Sequence, residues 1–182
     1  PYSATPATQL LSNGHYSVML TAAGSGYSAW RDLVVTRWRE DATCDDWGSY
    51  VFLREVASGE VWSATYQPIG TEPEAYEVIF NEDRAEFTRR DKTLATTLEV
   101  LVSAEDDAEV RRVRISNFGD QPREVEVTSY AELVLSSQAA DVTHPAFSKL
   151  FIETEHLAGL GAILATRRRR ASACRWSPSR RS

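Results

Sequence analysis

The feature that most constrains the fold is a succession of short strand-like segments running through most of the chain. Eleven or twelve of them follow one another at a spacing of 8–14 residues. None of the sequence has the periodicity of a convincing amphipathic helix. A βαβ arrangement would need crossover connections of about ten or more residues, usually helical. The pattern therefore predicts an all-β fold, a two-sheet antiparallel sandwich.

Short turns separate these segments, and two of them are typical of hairpins. Ala57-Ser58-Gly59 places glycine where a positive φ is tolerated, and Asn81-Glu82-Asp83 forms another short connection. The predicted strands, in chain order, cover residues 15–21, 25–30, 32–38, 49–56, 60–66, 75–81, 84–91, 94–103, 108–118, 123–135, 147–157 and 161–167.

The sequence divides into three regions. Residues 1–10 are rich in turn formers and poor in apolar side chains, so we predict a linker or arm. Residues 11–166 form the predicted sandwich. Residues 167–182 contain seven arginines and no acidic residue, and we predict a disordered or non-native tail. Because the chain begins with Pro1, we interpret it as a piece of a longer protein.

Residues 13–50 concentrate aromatic and charged side chains, including three of the five tryptophans. Aromatic rings can stack on the C–H faces of sugars, while carboxylates and guanidinium groups bond the hydroxyls. The alternative is that these rings fill the core of the sandwich. Gly24-Ser25-Gly26 precedes a strand and not a helix, so it lacks the context of a phosphate loop. We interpret it as a tight turn that positions Tyr27 and Trp30.

Residues 11–55 also resemble the start of the β-sandwich domain of the family 36 glycosyltransferases, which are grouped with the cellobiose and chitobiose phosphorylases. Within that family, the phosphorylase-like region of cyclic β-1,2-glucan synthases is the nearest match. The resemblance continues through GEVWSATYQP, DRAEFTRRD, SNFGDQPREVEVTSYAE and HPAFSKLF, and ends at Thr166. His15, Ala22 and Ser25 depart from it, since Arg, Asn and Gly are usual there.

The resemblance implies a supersandwich related in shape to galactose mutarotase domains, in part or complete. It also implies a helical (α/α)6 barrel in the same parent protein as the partner of this domain. A β-glucan or glucose-based ligand and a homodimer are further partners that it leaves open. We predict that the following residues bind carbohydrate or dock the barrel: Tyr27, Trp30, Arg31, Arg37, Trp38, Arg39, Asp46 and Trp47. Their alternative role is an aromatic and ion-pair cluster internal to the fold.

No catalytic residue is predicted. Glu40, Asp45 and Asp46 are the carboxylates near the aromatic stretch, and we interpret them as partners of Arg37 and Arg39. In the family, the catalytic acid belongs to the barrel, so the isolated chain is expected to be inactive. The leading hypothesis is a carbohydrate-binding or structural domain of a glycosyltransferase or glycoside phosphorylase. A structural module without sugar affinity is the alternative. A free-standing mutarotase-like enzyme would need a His–carboxylate pair, and the three histidines do not match that family.

Composition narrows the partners further. The net charge of −6 includes the basic tail, and residues 1–166 alone carry 13 Lys+Arg against 26 Asp+Glu, a net −13. This acidic body argues against nucleic acid and anionic membranes as partners. Cys44 and Cys174 are far apart, and no histidine spacing indicates metal, so we predict no metal, no cofactor and a cytoplasmic location. No apolar run is long enough to span a bilayer, although the parent protein can still be membrane-anchored.

Overall fold

The computed structural model of the protein describes residues 7–39, 46–143 and 149–168. Its architecture is all-β, as predicted. In the described ranges the strands are β1 (Thr8–Ser12), β2 (Tyr16–Thr21), β3 (Gly26–Trp30), β4 (Leu33–Thr36), β5 (Tyr50–Glu55), β6 (Val61–Ser63), β7 (Ala75–Phe80), β8 (Arg84–Asp91), β9 (Leu94–Val102), β10 (Glu109–Asn117), β11 (Val125–Tyr130), β12 (Leu133–Ser136), β13 (Ile152–Leu157) and β14 (Ala162–Arg167), with one short helix, α1 (Gln138–Thr143).

These strands form antiparallel sheets. Sheet A has the order β1-β2-β3-β4-β12, sheet B has the order β11-β5-β6, and sheet C has the order β10-β9-β8-β7. The strands β13 and β14 pair only with each other and form a hairpin, which we call the C-terminal hairpin. A single 3-10 turn, Ala158–Leu160, connects its two strands.

Sheets A, B and C share one hydrophobic core. Val18 of sheet A, Leu53 of sheet B and Phe87 of sheet C are all fully buried. Alternation along the strands produces this arrangement, because successive side chains point to opposite faces. In β9, for example, Leu94, Thr96, Leu98 and Val100 are buried, while the residues that alternate with them are more exposed.

Three elements differ from the sequence-based prediction. Strand β1 begins at Thr8, inside the segment predicted as an arm. The single strand predicted over 123–135 is two strands: β11 pairs with β5 in sheet B, whereas β12 pairs with β4 in sheet A. Helix α1 was not predicted at all. Strand β14 also ends at Arg167, so sheet structure extends one residue into the predicted tail, whose positions 169–182 lie outside the described residues.

Candidate functional site

A cleft of about 420 Å³ opens on the outer face of sheet A, on the opposite side from the core. Ser17 of β2, Ala29 of β3 and Val34 of β4 face one another across neighbouring strands and form its floor. Its volume lies within the range of ligand-binding clefts, about 300–1,000 Å³. The full lining consists of Ser17, Tyr27, Ala29, Arg31, Asp32, Leu33, Val34, Trp38, Gln138, Asp141 and Val142.

Two aromatic side chains form the apolar wall of this cleft. The ring centroids of Tyr27 and Trp38 lie 5.6 Å apart, and the ring planes are tilted by 44°. Both residues are partly buried, so each presents part of its ring surface to the cleft. The indole nitrogen of Trp38 is buried and has no hydrogen-bond partner among the residues that the structure describes. This pair provides the aromatic surface on which a sugar ring could stack.

The turn before β3 places Tyr27 in this wall. Gly24 has a φ of +91°, and a Cβ added there would lie 2.3 Å from the Cβ of Thr65. Gly26 has a φ of +153°, and its amide donates a hydrogen bond to the carbonyl oxygen of Trp47 over 2.8 Å. Glycine tolerates these φ values and close approaches because it lacks a side chain. The interpretation of this segment as a tight turn is therefore confirmed.

The rim of the cleft is formed by the turn between β3 and β4. Arg31 has a φ of +52°, and its guanidinium lies 4.9 Å from the ring centroid of Trp30. The indole nitrogen of Trp30 in turn donates a hydrogen bond to Asp107 over 2.5 Å. Asp32, the residue after Arg31, is exposed at the rim as Arg31 is. One cation and one carboxylate thus stand side by side at the entrance.

The wall opposite the floor comes from α1, which contributes Gln138, Asp141 and Val142 to the cleft. The carboxylate of Asp141 accepts two hydrogen bonds from Arg37, over 3.0 Å from Nε and 2.6 Å from Nη2. The third arm of the Arg37 guanidinium donates to Glu132, which also pairs with Lys149 over 2.6 Å. Because Arg37 occupies both of its oxygens, Asp141 is poorly placed to serve as a general acid.

The structure separates the eight predicted site residues into several groups. Tyr27, Arg31 and Trp38 line the cleft. Trp30 lies next to Arg31 but is partly buried against the hydrophobic core, on the other face of β3. Whether any of these residues contacts a ligand or a partner domain stays a prediction.

The remaining predicted residues lie apart from the cleft lining. Arg37 is only 3% exposed, which favours the role internal to the fold for this residue. Arg39 stacks on Trp47 at 5.7 Å, and Asp46 is exposed. Glu40 and Asp45 lie outside the described residues.

Sequence reasoning missed the α1 wall of the cleft. Gln138, Asp141 and Val142 follow the aromatic stretch by about a hundred positions and belong to a six-residue helix without an apolar face. No local pattern marks such residues. The completed lining offers hydrogen-bond donors from Arg31 and Gln138 and acceptors from Asp32 and Gln138. Such groups beside two rings suit a polyhydroxylated ligand.

Two further properties bear on the type of site. In the part of the chain that the structure describes, no three His, Cys, Asp or Glu residues are grouped so that they could hold a metal ion. Within the same ranges, no helix is long and apolar enough to cross a membrane.

Comparison with protein families gives one match across almost the whole chain. The model of the glycosyl hydrolase 94 supersandwich domain matches residues 1–179. It therefore extends beyond Thr166, where the sequence resemblance was expected to end.

Comparison with individual proteins gives relatives of the same kind. The chain is 47% identical over 155 residues to the cyclic beta-(1,2)-glucan synthase NdvB of Rhizobium meliloti (strain 1021), covering 85% of this chain and 6% of that protein. It is 28% identical over 160 residues to the N,N'-diacetylchitobiose phosphorylase of Vibrio furnissii, covering 85% of this chain and 20% of the relative. A 3-O-beta-D-glucopyranosyl-beta-D-glucuronide phosphorylase of Paenibacillus borealis is 35% identical over 74 residues, 41% of this chain and 10% of the relative. The chain thus spans a fifth or less of the length of these proteins.

Proposed function

Because this chain belongs to the family of glycosyl hydrolase 94 supersandwich domains, we propose that it is the carbohydrate-contacting β-sandwich of a larger glycosyltransferase or glycoside phosphorylase. The ligand we propose is a β-linked glucan. The domain contacts glucosyl units through the cleft on sheet A and carries none of the bond-breaking chemistry. That chemistry belongs to a helical barrel in the same parent protein.

The observation that carries this proposal is the combination of side chains in the cleft. Tyr27 and Trp38 supply adjacent ring surfaces, and Arg31, Asp32 and Gln138 supply donors and acceptors around them. Clefts that combine apolar ring surface with polar groups that fix the orientation of a ligand are typical of small-ligand sites. Two of the relatives support a glucosyl-containing ligand by their names, the cyclic beta-(1,2)-glucan synthase and the 3-O-beta-D-glucopyranosyl-beta-D-glucuronide phosphorylase.

The test is a titration of the 182-residue chain with linear β-1,2-gluco-oligosaccharides, followed by tryptophan fluorescence and by calorimetry. We expect saturable binding with a Kd between about 0.1 and 10 mM, which corresponds to roughly −5 to −3 kcal/mol. Replacing Tyr27 by Ala should weaken binding at least about tenfold, because the sugar loses one of its two stacking surfaces.

The matched control is Tyr130→Ala. Tyr130 is half exposed on β11 of sheet B and does not line the cleft. Its removal should leave the Kd unchanged. Equal affinity in wild type, Tyr27→Ala and Tyr130→Ala would refute the assignment of the cleft, and absence of saturable binding in wild type would refute the carbohydrate-contacting role.

A second candidate function, docking of the barrel without sugar affinity, is favoured by a different observation. Three large apolar side chains are strongly exposed on or next to the C-terminal hairpin: Leu150 74%, Leu160 79% and Ile163 73%. Exposed apolar side chains in one region of a domain are typical of surfaces that another domain covers. Docking through the hairpin is also compatible with sugar binding in the cleft, since the two surfaces present different residues. A cytoplasmic location and a homodimer stay predictions.

A further inference from the structure

Helix α1 closes one side of the cleft, yet it has almost nothing of its own to hold it in place. It is six residues long, and isolated helices shorter than about 12–15 residues are marginal in water. Among its residues only Asp141 is buried, while Val142 is 64% exposed. Within the described ranges, α1 therefore lacks the apolar anchoring that fixes most surface helices.

Arg37 replaces that anchoring with an ion pair. Its guanidinium meets the Asp141 carboxylate side by side, with N–O distances of 3.0 and 2.6 Å, and both side chains are almost completely buried. A bidentate pair of this kind fixes orientation as well as distance. The same guanidinium bonds Glu132, and the backbone amide of Arg37 donates to the carbonyl oxygen of Glu132 over 2.8 Å.

Arg37 is also next to the aromatic wall of the cleft, because it immediately precedes Trp38 in the sequence. The 2% exposure of its side chain prevents it from touching a ligand in the cleft. Arg37 is joined to the aromatic wall through its peptide bond with Trp38 and to the α1 wall through its ion pair with Asp141. A change at Arg37 should therefore alter the shape of the cleft rather than remove a ligand contact.

We propose that Arg37 and Asp141 are positioning residues that hold α1 over the sheet A cleft and thereby set its affinity for glucan. This inference rests on the proposed function for the affinity it predicts, but not for the position of α1. The hydrophobic core formed by the described residues contains no residue of α1, so release of this helix should be local and leave the sandwich folded. The cleft then has two states, one with α1 docked on it and one with α1 released.

The experiment compares wild type with Asp141→Asn, which keeps the shape of the side chain and removes its charge. Amide hydrogen exchange over residues 138–143 should become at least about tenfold faster, while exchange in β2, β5 and β9 stays as in wild type. If α1 is docked in only about a tenth of the Asp141→Asn molecules, the apparent Kd for β-1,2-gluco-oligosaccharides rises about tenfold.

Glu55→Gln is the matched control. Glu55 is likewise buried and accepts hydrogen bonds from Arg123 and Ser58, but it lies away from the cleft. This variant should leave both the exchange of 138–143 and the Kd unchanged. Urea unfolding of all three proteins identifies conditions in which each is fully folded, so that affinities are compared between native states.

The outcomes separate the two proposals. Unchanged exchange over 138–143 in Asp141→Asn overturns the positioning role, whether or not any sugar binds. Faster exchange with an unaltered Kd also overturns it, because the helix would then be no wall of the binding site. An equal loss of affinity in Glu55→Gln would assign the effect to general destabilisation and would overturn it as well. A wild-type chain that binds no glucan contradicts the proposed function alone, and the exchange measurement still decides the position of α1.

Discussion

Gly26 begins β3 at a point where no side chain fits. A Cβ added there would lie 1.9 Å from the carbonyl oxygen of Met19, and the φ of +153° is one that other residues rarely adopt. The obstacle is backbone, which cannot move without disturbing the pairing of β2 with β3. We predict that Gly26→Ala lowers the free energy of unfolding by about 3 kcal/mol, measured by urea denaturation.

Gly59 provides the control for this substitution. Its φ is +72°, but a Cβ there would meet no atom within 4 Å. Gly59→Ala should cost about 1 kcal/mol from backbone strain alone. Equal losses in the two variants would show that φ, and not the contact with Met19, sets the cost at Gly26.

Tyr76 makes the stability of the fold depend on pH in the alkaline range. Its hydroxyl donates to the carbonyl oxygen of Ala22 over 3.0 Å and accepts from the amide of Tyr66 over 3.3 Å. Burial raises the pKa of Tyr76 from 10.0 to about 12. The folded state therefore keeps this proton at a pH where the unfolded chain loses it, and the stability it contributes is complete below pH 10 and disappears as the pH rises to about 12.

Two pKa units correspond to about 2–3 kcal/mol. We predict that the difference in unfolding free energy between wild type and Tyr76→Phe shrinks by about this amount between pH 9 and pH 12. Tyr130→Phe, which removes a half-exposed hydroxyl, should show no such change. A pH-independent difference for Tyr76→Phe would contradict the linkage.

The directions of single side chains also explain why the candidate site was only partly predictable. The sequence places Tyr27 and Trp30 together, but they are three positions apart on one strand and therefore point to opposite faces. Tyr27 lines the cleft, whereas Trp30 packs against the core and contacts the rim of the cleft through the Arg31 guanidinium that lies over its ring. Aromatic density along the chain indicated the region, but only the boundaries of β3 determine which ring lies on which face.

Among the elements, the C-terminal hairpin shows how a sheet edge is completed. The guanidinium of Arg167 on β14 donates to the carbonyl oxygen of Val134 on β12, over 2.8 Å, and lies 5.7 Å from the ring of Phe151. This contact attaches the hairpin to the edge strand of sheet A. The adjacent Arg168 pairs with Glu153 at the surface, with its side chain 71% exposed.

We predict that Arg167→Ala costs about 1–2 kcal/mol, because it removes a hydrogen bond to a backbone carbonyl and the packing of the side-chain stem. Arg168→Ala should cost less than about 0.5 kcal/mol, as exposed ion pairs do. Thermal unfolding of both variants measures the difference. Equal midpoints would mean that the hairpin is not anchored through Arg167.

Most elements follow from sequence pattern, and the exceptions have physical causes. Alternation and turn chemistry locate the strands from β2 to β10 to within a few residues. The prediction over 123–135 failed because alternation continues while the chain changes sheet between Tyr130 and Leu133. A bulge in β12, with Leu135 at a φ of +50°, follows this change. Helix α1 carries no periodic signal, since an ion pair with a residue 104 positions away holds it.

On the scale of the whole molecule, three sheets share one core, and the outer face of sheet A carries the cleft that α1 borders. The sandwich class was predictable from strand spacing, and the supersandwich family from the residues between Leu11 and Glu55. The cleft was not predictable, because its lining combines residues of the aromatic stretch with residues of a helix about a hundred positions later in the sequence. We propose that glucan binds in this cleft and on no other surface of the domain.

The most direct test is nitrogen-15 NMR of the chain during titration with β-1,2-gluco-oligosaccharides. The five tryptophan indole N–H groups act as separate reporters. We predict that the indole signal of Trp38 and the backbone signals of Tyr27 and Gln138 shift together along one saturation curve, while the indole of Trp62, buried in the core, does not move. Shifts confined to residues outside the cleft, or no saturable shift at any oligosaccharide concentration, would contradict the account.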